Sequence, residues 1–150
     1  MKVQFSEIVE FVGAPSAAFI LSKQSGGSVA VSVSTSVVAN RTESVITFLS
    51  DTTFGSLNDG RYTLTIVADQ IRDRAGNAMT TNTSVAFHRY FGDANGDSRI
   101  DIADFGPFAT TYGLNAGQAG FIQYYDYNND GRIDVADFGQ FAIRYFTTMP

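Results

Sequence analysis

The chain has 150 residues, 44% of them apolar and 13% aromatic, enough to fill the core of one ordinary domain or two small ones. It has no cysteine, which excludes disulfides, thiolate metal sites and a cysteine nucleophile, and its longest apolar run, "SAAFIL", falls far short of the roughly 18 residues of a membrane span. Net charge is −5 and unevenly placed: residues 1–92 balance seven acids with seven bases, whereas residues 93–150 set eight acids against three bases, which argues for a cation and against nucleic acid.

The first ninety residues read as strands. "KVQF" and "AFILS" are short candidates, "SVAVSVSTSVV" alternates Val29, Val31 and Val33 with small or polar neighbours, and "ESVITFLS", "RYTLTIVA" and "TSVAFHRYF" are β-rich runs. Turn signals separate them at "QSGG", "SLNDG" and "DRAGN". This spacing predicts an antiparallel sandwich. The succession "VQFSEIVE", "SLNDGRYTLTI" and "IRDRAGNAM" resembles the bacterial immunoglobulin-like domains that recur in secreted and cell-surface proteins. The resemblance covers residues 2–89.

Gly92 then ends the last strand and a different pattern begins, with no Pro/Ser-rich linker between. Phe87, Tyr90 and Phe91 are expected to lie where two docked modules meet. "FGDANGDSRIDIADFG" at residues 91–106 returns as "YYDYNNDGRIDVADFG" at residues 124–139, an offset of 33 residues. Calcium takes six to eight oxygens, and a twelve-residue loop supplies them from positions 1, 3, 5, 7, 9 and 12. Those positions hold Asp93, Asn95, Asp97, Arg99 (by its carbonyl), Asp101 and Asp104 in the first copy. In the second they hold Asp126, Asn128, Asp130, Arg132 (by its carbonyl), Asp134 and Asp137. Both copies place an isoleucine at position 8, Ile100 and Ile133, and the two are expected to share a backbone bridge. Phe105, Phe108 and Tyr112, then Phe138, Phe141 and Tyr145, follow at helical spacing, so each loop is predicted to open into a helix with an aromatic stripe.

The two loop-plus-helix copies resemble the type I dockerin module, over residues 92–146. That resemblance implies two bound Ca²⁺ ions and a cohesin-like partner on a cell surface, commonly in assemblies of polysaccharide-degrading enzymes. The chain departs from the family where a hydroxyl pair is usual, at Ile102-Ala103 and Val135-Ala136, and its first helix carries no base. The first loop also has Ser98 where the sharp turn favours glycine, at a cost of about 1–2 kcal/mol. Pro107 is expected to kink or delay the first helix. The Asp126 loop is therefore expected to be the tighter calcium site.

The expected architecture is mainly β with a small α part: an immunoglobulin-like β-sandwich over 1–91, then a dockerin-like calcium module over 92–150. The expected function is non-catalytic calcium-dependent attachment by an extracellular bacterial protein of which this chain is a piece. The alternatives are a purely architectural calcium cap, or an accessory region of an enzyme whose catalytic domain lies upstream. No catalytic residues are expected. His88, the only histidine, reads as surface or packing, and Glu7 with Glu10 as solvated carboxylates rather than a glycosidase pair. "NRT" at Asn40 and "NTS" at Asn82 match the glycosylation sequon.

Overall fold

The computed structural model describes residues 1–149. The protein is mainly β, with antiparallel sheets and two short α-helices, and it divides into two compact units.

The first unit comprises Met1–Thr52 and Arg61–Phe87. One sheet is built from β1 (Lys2–Gln4), β5 (Val31–Val38) and β6 (Arg41–Phe48), in the order β1-β6-β5. The other is built from β3 (Phe19–Lys23), β4 (Ser28–Val29), β9 (Gly60–Ile66) and β11 (Thr83–Arg89), in the order β11-β9-β3-β4. β2 (Val9–Phe11) pairs antiparallel with β10 (Ile71–Asp73), whereas β7 (Thr52–Thr53) pairs with β8 (Ser56–Leu57), which lies in the second unit. Strand alternation decides which residues are inside. Thr42, Ser44 and Ile46 of β6, Phe19 and Leu21 of β3, and Tyr62 and Leu64 of β9 are all buried. Phe87 stacks on Tyr62 with ring centroids 5.6 Å apart.

The run "SVAVSVSTSVV" is not one strand. It breaks at Ala30, so that Val29 pairs with Leu21 of β3 while Val31–Val38 pairs residue by residue with β6. The corner is held by Leu49 N donating to Ala30 O (2.8 Å) and Ala30 N donating to Ser50 Oγ (2.9 Å). At the far end, Ala39 and Asn40 carry φ of 49° and 59° and close β5 onto β6 as a two-residue turn of the kind that matches strand twist.

The second unit comprises Thr53–Gly60 and His88–Pro150. Besides β8 and a 3-10 turn at Gln123–Tyr125, it contains β12 (Arg99–Ile100), α1 (Ile102–Thr111), α2 (Val135–Ala142) and β13 (Thr147–Thr148). The core gathers Tyr90, Phe91, Ile100, Phe108, Tyr125, Ile133, Phe141 and Met149. Tyr90 and Phe91 are buried in this core. Gly92 has φ of +100°, and a Cβ there would sit 3.0 Å from both Ile100 Cδ1 and Phe141 Cδ2, so the chain passes where only glycine fits.

Candidate functional site

Each acidic repeat folds as the same hydrogen-bonded loop. In the first, Asp93 Oδ1 accepts from Gly96 N (2.7 Å) and Asp97 N (3.2 Å), and its Oδ2 accepts from Ser98 N (2.9 Å). Asp104, fully buried, accepts from Ala94 N (2.8 Å) and Asp101 N (2.9 Å). Asn95 and Asp97 turn the chain by accepting from Asp97 N and Arg99 N. The second loop repeats this at the same offset. Asp126 accepts from Asp130 N and Gly131 N, Asp137 from Tyr127 N and Asp134 N, Asn128 from Asp130 N, and Asp130 from Arg132 N.

Positions 9 and 12 also start the helices. Asp101 accepts from Ala103 N, and Asp134 from Ala136 N, while Asp104 and Asp137 reach back to the N-cap amides, forming capping boxes. The helices consequently begin at equivalent residues, Ile102 and Val135. Pro107 does not delay α1, which extends to Thr111 and is the longer of the two. Its missing N–H forfeits one bond after the start has been fixed by the cap.

The left-handed positions are shared but filled differently. Gly96 (φ 78°) corresponds to Asn129 (φ 57°), and Ser98 (φ 68°) to Gly131 (φ 83°). Each loop thus has one glycine and one residue with a Cβ in the left-handed region.

Ile100 and Ile133 are fully buried but share no backbone bridge. Each loop instead pairs with the segment that follows the other loop's helix. Phe146 N donates to Ile100 O (2.7 Å) and Met149 N to Ser98 O (2.8 Å), with β13 against β12. Reciprocally, Gly113 N donates to Ile133 O (2.8 Å) and Ala116 N to Gly131 O (2.8 Å). The donors and the acceptors are again 33 residues apart. This exchange gives the unit an internal approximate twofold, and the side chains at positions 8 meet the core because of it.

α1 and α2 join through rings. Phe108 stacks on Phe141 with centroids 4.9 Å apart and planes at 25°, Phe108 also meets Phe138 at 5.9 Å, and Phe105 meets Phe141 at 6.2 Å. Outside these rings two open apolar hollows lie side by side. One, of about 280 Å³, is lined by Phe105, Phe108, Ala109, Tyr112 and Phe138. The other, of about 260 Å³, is lined by Ile102, Phe105, Phe138, Phe141, Ala142 and Tyr145. Ile102 is 70% exposed and its counterpart Val135 71%. The spacing sets the aromatics on the helices but does not show that Phe105, Tyr112 and Phe138 are exposed.

Asp59, from the Thr53–Gly60 segment, gathers three donors of the same unit. It accepts from Arg89 Nη1 (3.1 Å), Arg144 Nε (2.7 Å) and Phe91 N (2.9 Å). The two guanidinium groups also lie over the Phe91 ring, at 5.3 and 5.7 Å. His88 Nε2 lies 2.7 Å from Asp93 Oδ2, so the single histidine is engaged by the first loop. Burial raises Tyr124 well above its ordinary pKa, against the pull of Arg89, and pushes Tyr125 up to about 12.

No family model matches the chain. No curated protein matches it. Among solved structures, a match covering 93% of this chain and 92% of the other has 16% identity and a TM-score of 0.36. That structure is an N-terminal interface mutant of a type II cohesin–X-dockerin complex from Acetivibrio cellulolyticus. The complex contains a cohesin as well as an X-dockerin, and at that TM-score the likeness assigns the chain to neither.

These findings correct the sequence reading. No family model bears the immunoglobulin-like and type I dockerin-like identity, and the calcium-dependent attachment argued from it and the two Ca²⁺ ions do not stand with it. Among the described residues no group of three or more His, Cys, Asp or Glu side chains is arranged as a metal cage. Both oxygens of Asp93, Asp104, Asp126 and Asp137 accept backbone amides, so the carboxylates shape the turns and cap the helices.

Proposed function

We propose that the protein is a non-catalytic protein-binding module that acts outside the cell as part of a longer chain. The observation that supports this is the apolar face of α1 and α2. Ile102, Phe105 and Phe138 stand exposed around two adjoining hollows, and Val135, at the position in α2 that matches Ile102 in α1, is exposed as well. A contiguous apolar face rimmed by polar residues is the usual mark of a protein interface, because leaving it in water forgoes the free energy of burial. Paired hollows flanked by aromatic rings suit anchoring side chains of a folded partner. Among the described residues no helix is long and apolar enough to cross a membrane. The engagement of His88 with the first loop favours a structural over a catalytic role for that residue.

The test is an Ile102→Glu, Val135→Glu variant compared with the unaltered protein. Both residues are exposed and open their helices, where a carboxylate suits the helix dipole, so the fold is retained. The unaltered protein should retain a protein from the source organism's secreted fraction and the variant should not, with equal thermal midpoints. Equal retention by both, or retention by neither, refutes the reading.

A further inference from the structure

We infer that β5 is a second interaction surface, a sheet edge that pairs antiparallel with the β5 of another copy of this chain. Strand β5 ends its sheet in the order β1-β6-β5, and its eight residues run in unbroken register with β6, from Val31 opposite Phe48 to Val38 opposite Arg41. The turn at Ala39-Asn40 makes Val38 and Arg41 the closing hydrogen-bonded pair. Antiparallel alternation then directs the amides and carbonyls of Ser32, Ser34, Ser36 and Val38 to β6, and those of Val33, Thr35 and Val37 away from it. Consistent with this parity, Thr42 and Ile46 of β6 bond on their other side, to Glu7 O and Met1 O. Among the described residues no hydrogen bond satisfies the outward groups of Val33, Thr35 and Val37.

An edge of this length is ordinarily guarded by lysine, proline, a bulge or a covering element. This one has none of the first three: its sequence is "VSVSTSVV", all β-branched residues and serine, without a charge. A 3-10 turn at Pro15–Ala18 approaches the strand, but Thr35 to Val38 are exposed. Val37 is 58% exposed although it shares the face that elsewhere on the sheet is buried.

The row of outward amides and carbonyls calls for an extended strand, and its charge-free, self-complementary sequence fits its own copy. A twofold axis midway between the two copies' Thr35 residues, perpendicular to the sheet, keeps both copies' inner faces on one side. It places Thr35 opposite Thr35 of the partner copy and Val37 opposite the other copy's Val33, all as hydrogen-bonded pairs. The exposed Val37 gains a β-branched neighbour, and no like charges meet within the strand even though each chain carries −5. The product is one continuous sheet, β1-β6-β5 followed by its mirror order.

The experiment is sedimentation of the full chain from micromolar to near-millimolar concentration, with charge variants at the axis. The unaltered protein should double in mass as concentration rises. Thr35→Lys and Thr35→Asp should each stay monomeric, because like charges would oppose each other at the axis. An equimolar mixture of the two should recover the doubled mass. Thr35 is exposed, so the monomers should keep their strand circular dichroism. An unaltered protein that is monomeric throughout overturns the inference. So does a dimer unaffected by either charge, or a mixture that fails to recover. Association abolished by the Ile102→Glu, Val135→Glu variant but not by the Thr35 variants would locate it on the helical face and also overturns the inference.

Discussion

At the scale of single residues, backbone sign and buried polarity decide more than side-chain size. Ser98 holds φ of 68° where the second loop has Gly131, and a Cβ in the left-handed region costs about 1–2 kcal/mol. Ser98→Gly should therefore raise unfolding stability, by about 1 kcal/mol once the greater freedom of glycine in the unfolded chain is subtracted, read as a higher denaturant midpoint with unchanged slope. Tyr125 supplies a pH dependence. Its pKa is raised from 10.0 to about 12, chiefly by burial, so the folded state holds the phenol proton more tightly than the unfolded state. The stability this contributes is complete below pH 10 and is lost as pH climbs toward 12. Equilibrium unfolding across that window should show a decline that Tyr125→Phe flattens. A decline unchanged in Tyr125→Phe would move the cause to Tyr124 or to another group.

At the scale of elements, short helices depend on their ends. α1 has ten residues and α2 eight, lengths at which an isolated helix does not persist in water. Asp101 and Asp134 each satisfy an otherwise orphaned amide, and each is the first half of a capping box. Asp134→Ala should cost roughly 1 kcal/mol, and Asp101→Ala a similar amount, measured by chemical denaturation. Repeating the measurement with the asparagine variants separates capping from charge, since asparagine caps as well as aspartate. The cross-pairing of each loop with the other helix's trailing segment is the second device at this scale. It explains why the expected bridge between Ile100 and Ile133 does not form: their strand edges are already occupied by Phe146–Met149 and Gly113–Ala116.

At the scale of the whole molecule, the second unit is not a continuous stretch of chain. Residues 53–60 belong to it, and Asp59 among them receives two arginines and the Phe91 amide. Asp59→Ala should destabilise this unit by roughly 1–3 kcal/mol, since the carboxylate is partly exposed but its loss leaves two guanidinium groups and an amide without their acceptor. Expressed alone, residues 88–150 should show faster amide exchange at Phe91 and Arg144 than in the full chain. Equal exchange would mean that the inserted segment contributes nothing to stability.

Much of the local structure is legible from residue order. The β-rich runs, the glycine-marked turns and the aromatic stripes after each repeat follow from periodicity, and the repeat at an offset of 33 residues announces two matching loops. The use of the acids is not legible in the same way. A pattern of Asp and Asn is compatible with cation ligation, with amide-bonded turns and with helix caps, because all three draw on the same carboxylate lone pairs. The split of "SVAVSVSTSVV" at Ala30 is likewise hidden, since both halves have strand chemistry and only the partners β3 and β6 assign them to different sheets. Residue order suffices for the strands, the turns and the duplicated loop-helix units, because these depend on neighbours within a few residues. Which edges are paired, the membership of residues 53–60 in the second unit and the exposure of the apolar helical face and of the β5 edge arise only on packing. Those outcomes depend on contacts between residues far apart in the chain, and short-range pattern carries no information about them.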